Sequence, residues 1–207
     1  VLLLICFPAI RQEDTQGKAL KVNLLQANIS QTTKFNSGRQ QALDWYAEQV
    51  ENSRADLTVL PEIAIPYFQH ELPTGYWDSL TGKFEEEKQI VLLGIPTLDK
   101  EKGYGNSAVG LGFGVERQYD KYHLVPFGEF TPESMKWFTR LMVNDLGDFN
   151  RGSVKQAPFV WRGHNLSMTI CYEDLFGEEL AVRFVNTTNI PTVFVNISNI
   201  AWFGDSM

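Results

Sequence analysis

The segment LSMTICYEDLF at residues 166–176 decides how the rest of this chain is interpreted. Its alternating apolar residues, Leu166, Met168 and Ile170, are typical of a β-strand, and the acidic residues after them indicate the start of a helix. Cys171 lies between the two. The backbone N–H groups of a first helical turn favour a thiolate, so the pattern predicts a reactive thiol where the strand ends.

Two other predicted strands are each followed, within two residues, by a charged residue. Residues 57–60 (LTVL) lead to Glu62, and residues 115–119 (VERQY) lead to Lys121. Strand ends on one edge of an open sheet converge in space. We therefore expect Glu62, Lys121 and Cys171 to share a site.

The chain as a whole alternates between apolar strands and amphipathic helices. The strand pattern predicts, in chain order, strands at residues 21–29, 57–60, 90–95, 106–113, 115–119, 158–161, 166–170 and 191–197. Helices are predicted after a cap at Asn36 or Ser37, after Thr131, and after Cys171. Residues 66–88 show weak periodicity, which leaves open a loop packed over the sheet or a lid over a site. This alternation predicts an α/β architecture.

The first of these helices has an apolar stripe with residues three and four positions apart. Its members are Leu43, Tyr46, Ala47 and Val50. In the helix after Cys171 the corresponding stripe is Leu175, Leu180, Ala181, Phe184 and Val185. Both stripes predict a face that packs on a sheet.

Composition excludes several classes of function. The chain has 207 residues, 43% of them hydrophobic, and its 18 basic and 25 acidic residues give a net charge of −7. Lys and Arg are scattered, so the sequence predicts no nucleic-acid partner, and any membrane contact has to be apolar. Two cysteines and three isolated histidines show no metal-ligand spacing, so no metal is expected. The glycines at 110, 112 and 114 do not form a phosphate loop, and no cofactor is predicted.

Four ordered segments closely resemble the nitrilase (carbon–nitrogen hydrolase) superfamily, whose site is a Glu, a Lys and a Cys in that chain order. The segments are residues 60–66 (LPEIAIP), 119–130 (YDKYHLVPFGEF), 170–173 (ICYE) and 197–206 (ISNIAWFGDS). The resemblance implies an αββα sandwich, incomplete in this chain. It further implies that residues 21–207 form a C-terminally truncated catalytic domain. Residues 1–20 would then be the end of a transmembrane segment plus a linker.

The same resemblance implies roles for individual residues. Cys171 would be the nucleophile and Glu62 the general base. Lys121 and the backbone N–H of Tyr172 would stabilise the oxyanion. Glu129 and Glu173 would be supporting acids, and Trp202 and Phe203 would line an acyl site. Ile200 departs from the family pattern, which has an acidic residue at that position.

Residues 126–130 (PFGEF) and 202–206 (WFGDS) resemble one membrane-bound branch of the superfamily. That branch implies acyl transfer from a phospholipid to the N-terminal amine of a diacylglyceryl-cysteine lipoprotein, through a thioester. It also implies a place in the bacterial inner membrane, with the catalytic domain facing the periplasm.

Three alternatives stay open at this point. A soluble amidase would use the same residues to hydrolyse a small C–N substrate. A Cys–His site would need His70, His123 or His164, and of these His123 lies two residues after Lys121 on the same face of an extended segment. A catalytically silent binding module would keep the fold alone.

Overall fold

The structure is a computed structural model that describes residues 19–29, 37–99, 103–112, 114–115, 117–125, 129, 149–185 and 188–199. Several expectations fall outside these residues. They concern the membrane segment before residue 19, the helix predicted after Thr131, the loop at Ile200, and the side chains of Trp202 and Phe203.

A mixed five-stranded sheet forms the first half of the molecule. Its strands are β1 (Val22–Leu24), β2 (Leu57–Val59), β3 (Ile90–Asp99), β4 (Gly103–Leu111) and β5 (Arg117–Asp120), in that spatial order. The first three run parallel, whereas β4 is antiparallel to both of its neighbours. As a result β2, β3 and β5 point the same way, and the residues that follow β2 and β5 meet at one edge. The strand expected at residues 21–29 is wrong in length, because only its first part pairs with β2.

A three-stranded sheet forms the second half. Its strands are β6 (Phe159–Trp161), β7 (His164–Ile170) and β8 (Val193–Ile197). The hairpin between β6 and β7 turns at Arg162 and Gly163, both at positive φ, as the sequence indicates. β8 runs parallel to β7, with Ile170 opposite Ile197.

The two sheets face each other across a shared apolar core, which confirms the α/β sandwich. From the first sheet the core includes Leu57, Val59, Ile90 and Leu92. From the second it includes Phe159, Trp161, Leu166, Met168, Ile170, Val195 and Ile197. The apolar residues of β7 all point inward, so the strand that begins the Cys171 segment is fixed by the core.

Two helices cover the outer face of the first sheet. Helix α1 (Gly38–Asn52) buries three of the four predicted stripe positions, Leu43, Tyr46 and Val50, whereas Ala47 is only partly buried. Ser37 precedes it but makes no side-chain cap hydrogen bond. Helix α2 (Tyr76–Glu87) lies inside residues 66–88, where a loop or lid was predicted, and it buries Leu80 and Phe84. Both helices join a second core cluster with β3 and β4.

The segment after β7 differs from its prediction. A 3-10 helix spans Cys171–Leu175, a break follows at Phe176, and α3 (Gly177–Val182) is only six residues long with no buried side chain. Leu175 is 76% exposed, so the expected apolar stripe does not pack on the sheet. The cause lies in Glu173, which turns inward to accept backbone hydrogen bonds and tightens the first turn.

Among the helices of the described residues, none combines the length and the apolar character needed to cross a bilayer.

Candidate active site

Glu62 lies in the turn after β2 and is almost completely buried, with 3% of its surface exposed. Its Oε1 accepts a hydrogen bond from Lys121 Nζ at 2.9 Å and another from Asn106 Nδ2 at 2.8 Å. Its Oε2 accepts the backbone N–H of Asn199 at 3.2 Å. Buried carboxylates are stable only when paired and hydrogen-bonded, and Glu62 has both kinds of partner.

Lys121 follows β5 directly and is 1% exposed. Its Nζ lies between two carboxylates, 2.9 Å from Glu62 Oε1 and 3.0 Å from Glu129 Oε1. Burial alone would lower the pKa of Lys121, but the charges of Glu62 and then Glu129 outweigh it, and the pKa is raised. The side chain is therefore an ammonium at neutral pH. Two of its three N–H donors bind these carboxylates, which leaves one to bind another group.

Cys171 follows β7 directly and is a free, partly exposed thiol. Its φ is +60°, a left-handed conformation that costs a non-glycine residue roughly 1–2 kcal/mol. The side chain of Asn196, on β8, donates a hydrogen bond to the Cys171 carbonyl oxygen at 2.8 Å and holds this turn. Strain of this kind concentrates at functional sites, and here it presents the sulfur at the end of the strand.

Tyr172 connects Cys171 to the charged cluster. Its ring centroid is 5.8 Å from Lys121 Nζ, and its hydroxyl donates to the Leu124 carbonyl oxygen at 2.9 Å. Partial burial raises the pKa of Tyr172, and the charges of Lys121, Glu129 and Cys171 also act on its phenol. Tyr172 thus lies within electrostatic reach of all three groups.

Glu173 joins the Lys121 segment to the Cys171 turn. Its Oε1 accepts the backbone N–H groups of Tyr122 at 2.6 Å and His123 at 3.0 Å. Its Oε2 accepts the Tyr119 hydroxyl at 2.9 Å and the Ile170 backbone N–H at 2.7 Å. Because every acceptor position of this carboxylate is used, Glu173 fixes geometry rather than moving protons.

An open cavity of about 570 Å³ lies beside Cys171. Its lining consists of Val125, Cys171, Tyr172, Asp174, Leu175, Asn196 and Ser198. Most of the surface that these residues present is hydrocarbon, with Leu175 largely exposed at the rim. A substrate that reaches the sulfur from this side meets an apolar wall.

The structure places Glu62, Lys121 and Glu129 in one hydrogen-bonded cluster, with Glu173 bound to the backbone after Lys121 and the Tyr172 ring 5.8 Å from Lys121 Nζ. Cys171 directly precedes Tyr172 in the chain, and its role as the nucleophile stays a prediction. The prediction of one common sheet edge is wrong, however, since Cys171 belongs to the second sheet and the site lies between the two. Sequence reasoning also missed Asn106, which contacts both Glu62 and Glu129. The available signal was a single amide side chain in a strand of otherwise small residues.

His123, one of the three histidines of the Cys–His alternative, has its ring engaged by Glu179 and Phe176. The Nε2 of His123 lies 2.7 Å from Glu179 Oε1, and its ring stacks on Phe176 with the centroids 3.7 Å apart. His123 therefore points at α3. In the part of the chain that the structure describes, no three His, Cys, Asp or Glu side chains cluster as metal ligands.

These features define a class of protein: an α/β sandwich with a buried glutamate–lysine pair and a cysteine on a strained turn at a strand end. The sequence profile of the carbon-nitrogen hydrolase family matches residues 21–207, so the chain belongs to that family.

Two of the curated relatives carry the same name. The chain is 49% identical over 193 residues to a protein of Verminephrobacter eiseniae named apolipoprotein N-acyltransferase, covering 91% of the chain and 36% of that protein. It is 39% identical over 194 residues to a protein of Ralstonia nicotianae with the same name, covering 92% of the chain and 37% of that protein. The chain thus spans about a third of the length of these relatives.

Solved structures confirm the fold. A carbon-nitrogen hydrolase from Helicobacter pylori superposes with a TM-score of 0.57 at 16% identity, over 86% of this chain and 59% of that one. An amidase from Nesterenkonia sp. gives a TM-score of 0.56 at 17% identity, over 86% of this chain and 64% of that one. At this level of identity the likeness concerns the fold alone.

Proposed function

We propose that this domain transfers an acyl chain from a phospholipid to the N-terminal amine of a diacylglyceryl-cysteine lipoprotein, through a thioester on Cys171. The observation that carries the proposal is the open, mainly apolar cavity beside Cys171, and the buried Glu62–Lys121 pair supports it. The names of the curated relatives support the same reaction.

In the first half-reaction Glu62 takes the proton of the Cys171 thiol, and the sulfur attacks the carbonyl carbon of a phospholipid ester. The carbonyl π-electrons move to oxygen and give a tetrahedral oxyanion. When this collapses, the C–O bond to the glycerol breaks. The lysophospholipid leaves with the proton that Glu62 returns, and the acyl chain stays on sulfur as a thioester.

In the second half-reaction the lipoprotein amine attacks the thioester carbonyl. Glu62 accepts a proton from the attacking nitrogen, and a second oxyanion forms. Its collapse breaks the C–S bond, and the amide product leaves while the proton goes back to the Cys171 sulfur. The thiol is regenerated, and no redox change occurs at any step.

Lys121 and the backbone of Tyr172 are the proposed oxyanion donors. The N–H of Lys121 that is not used by Glu62 and Glu129 can bind the developing negative charge. A pre-oriented donor of this kind contributes about 10²-fold or more to the rate, because it needs no reorganisation when charge develops. Glu129 holds Lys121 from the other side, at 3.0 Å.

The cavity lining favours a lipid chain over a small polar amide. Val125 and Leu175 offer exposed hydrocarbon close to the thiol. A small C–N substrate, as expected for a soluble amidase, gains little from such a wall. We further propose that the domain works at the outer face of the bacterial inner membrane, where both lipid substrates are found. The catalytic unit would be residues 21–207, with residues 1–20 as anchor and linker and with Trp202 and Phe203 beside the acyl chain.

The test uses the full natural chain in detergent micelles, a phospholipid with a labelled acyl chain, and a synthetic diacylglyceryl-cysteine peptide. We expect label on the enzyme when the phospholipid is given alone, and label on the peptide amine once the acceptor is added. Cys171→Ala is expected to abolish both signals. Mass spectrometry of the Cys171 peptide locates the thioester.

Other outcomes would contradict the proposal. Release of free fatty acid with no labelled amide would indicate a hydrolase. Full activity of Cys171→Ala would exclude the nucleophile. A folded wild-type protein that forms no adduct with the phospholipid would favour a binding module.

A further inference from the structure

Asn106 lies on β4, opposite Pro96 of β3, and is 1% exposed. Its Nδ2 donates to Glu62 Oε1 at 2.8 Å and to Glu129 Oε1 at 2.7 Å. Its backbone carbonyl oxygen accepts the backbone N–H of Lys121 at 2.9 Å. Asn106 therefore touches each of the three charged residues of the cluster.

The orientation of this amide is fixed by charge. If the amide were reversed, the partial negative charge of Oδ1 would face two carboxylate oxygens and be repelled by them. In the observed orientation Oδ1 is buried and has no hydrogen-bond partner among the described residues.

We propose that Asn106 is a positioning residue that holds Glu62 and Glu129 together around Lys121 as ionised carboxylates. The inference rests on the proposed function, in which Glu62 must be ionised to take the thiol proton. Asn106 itself touches neither the thiol nor the substrate in this proposal.

The charge balance explains why a second donor is needed. One ammonium faces two carboxylates, and the same oxygen of each carboxylate receives both Lys121 and Asn106. Two carboxylates that share a site tend to take up a proton, whereas hydrogen bonds to their charged forms oppose this. Without the amide, the cluster is expected to protonate more readily and Glu62 to lose its role as a base.

Other titratable groups near the cluster stay unchanged when Asn106 is replaced. The Tyr172 ring lies 5.8 Å from Lys121 Nζ, and the charges of Cys171 and of Arg151, in the segment before β6, act on its phenol. Any shift in pH dependence therefore reports on the two carboxylates.

The experiment measures the rate at which iodoacetamide alkylates Cys171 in the full natural chain as a function of pH, read from the mass of the Cys171 peptide. Asn106→Ala removes the amide, and Asn106→Leu keeps a similar volume but removes both donors without adding a titratable group. In both variants we expect the acid side of the pH–rate profile to move to higher pH. At about pH 6 the alkylation rate should fall roughly tenfold or more, which corresponds to the loss of one hydrogen bond to a charged group. At about pH 9 alkylation depends less on a general base, so the rates of the variants and wild type should agree within roughly threefold.

Gln89→Ala is the matched control, because Gln89 is another buried amide whose Oε1 has no partner among the described residues. Its profile is expected to follow wild type. The inference would be overturned if the acid side of the pH–rate profile did not move in either Asn106 variant. It would also be overturned if the alkylation rate fell by the same factor at every pH and Gln89→Ala showed the same fall. A wild-type Cys171 that reacts no faster than free cysteine near neutral pH would instead refute the proposed function itself, so the two failures are distinguishable.

Discussion

Lys121 shows at the residue scale how the site keeps a charge in its interior. Burial acts against an ammonium, and the pKa of Lys121 is raised only because Glu62 and Glu129 bind it at 2.9 and 3.0 Å. The raised pKa means that this stabilisation is complete below pH 10.5, the ordinary value, and is lost only as the pH rises beyond it through the folded-state pKa. The positive charge is therefore constant over the physiological range.

Replacing Lys121 by Met keeps most of the side-chain volume and removes the charge. We expect acyl transfer to fall by about 10²-fold or more, because the oxyanion loses a pre-oriented donor. The free energy of unfolding should also fall by roughly 3–5 kcal/mol, because two buried carboxylates lose their cation. Turnover with labelled phospholipid and denaturant unfolding measure the two effects.

Lys155→Met is the control for this change, since Lys155 is exposed. It should leave turnover unchanged and stability within about 0.5 kcal/mol. Near-normal turnover in a folded Lys121→Met protein would rule out the proposed role of Lys121.

Sequence alone identified the residues whose signal is local. Glu62, Lys121 and Cys171 each follow a run of strand residues, and this can be read without knowing the fold. Asn106 is different, since its importance depends on the β3–β4 register and on the turn after β2, which are long-range features. Its own strand pattern gives no indication of a partner 44 positions earlier in the chain.

At the scale of single elements, helix α2 was not predicted because its helical spacing is weak over residues 66–88. Tyr76, Trp77, Leu80 and Phe84 do have helical spacing, but they follow an irregular stretch with Pro73 and Gly75 that dilutes the periodicity of residues 66–88. Packing against α1 and β3 supplies the stabilisation that the isolated segment lacks.

The contact between α1 and α2 through Tyr76 predicts that the free energy of unfolding depends on pH above pH 10. Burial, and then the charge of Asp44, raise the pKa of Tyr76 to about 12 from 10.0, and its hydroxyl donates to the Leu43 carbonyl oxygen at 3.3 Å. A raised pKa makes its contribution complete below pH 10 and lost between pH 10 and about 12. Relative to Tyr76→Phe, wild type should lose about 1–2 kcal/mol over that range, allowing for partial exposure.

Denaturant unfolding of both proteins at several pH values tests this. Below pH 10 the variant should be less stable by up to about 1 kcal/mol, the value of the lost hydrogen bond. Parallel curves between pH 10 and 12 would contradict the assigned role of Tyr76.

Gly94 on β3 allows the Glu62 turn to pack directly against this strand. A Cβ at this position would lie 2.5 Å from the Ile63 nitrogen and 2.7 Å from the Glu62 Cα, and would also meet the Pro61 carbonyl oxygen. Because these atoms are backbone, Gly94→Ala should displace the Glu62 turn. We expect a loss of about 1–3 kcal/mol in unfolding free energy and a fall in turnover of about 10²-fold, as for other small misplacements of reacting groups.

Gly82→Ala is the matched control, since a Cβ there meets nothing within 4 Å. In helix α2 it should stabilise the protein by up to about 1 kcal/mol and leave turnover unchanged. A Gly94→Ala protein with normal stability and turnover would show that the turn adapts and that β3 does not position Glu62.

At the scale of the whole molecule, the site exists only where the two sheets meet. Glu62 and Lys121 follow strands of the first sheet, and Cys171 follows the central strand of the second. Alternating strands and helices are compatible with one sheet or two, so the division between sheets came from the family resemblance and not from periodicity. Apolar packing joins the sheets, and a polar connection through Glu173 sets their distance at the site.

This connection predicts that Glu173 controls the thiol without touching it. Gln at this position keeps one acceptor oxygen, but its NH₂ group would face two of the four donors that the carboxylate now accepts. We expect Glu173→Gln to lower the free energy of unfolding by about 2–4 kcal/mol and to slow iodoacetamide alkylation of Cys171 near neutral pH. Both effects are expected because the substitution weakens the hydrogen bonds that join the Lys121 segment to the Cys171 turn.

Glu179→Gln makes the same chemical change in helix α3, where the carboxylate pairs with His123 and the two side chains are 24% and 21% exposed. A pair of this kind contributes at most about 1 kcal/mol, so this control should be near wild type in both measurements. If Glu173→Gln and Glu179→Gln behave alike, the four hydrogen bonds do not hold the sheets in register at the site. If only Glu173→Gln slows alkylation while a folded population persists, the reactivity of the sulfur depends on how the two sheets are joined, because Glu173 makes no contact with substrate in the proposed reaction.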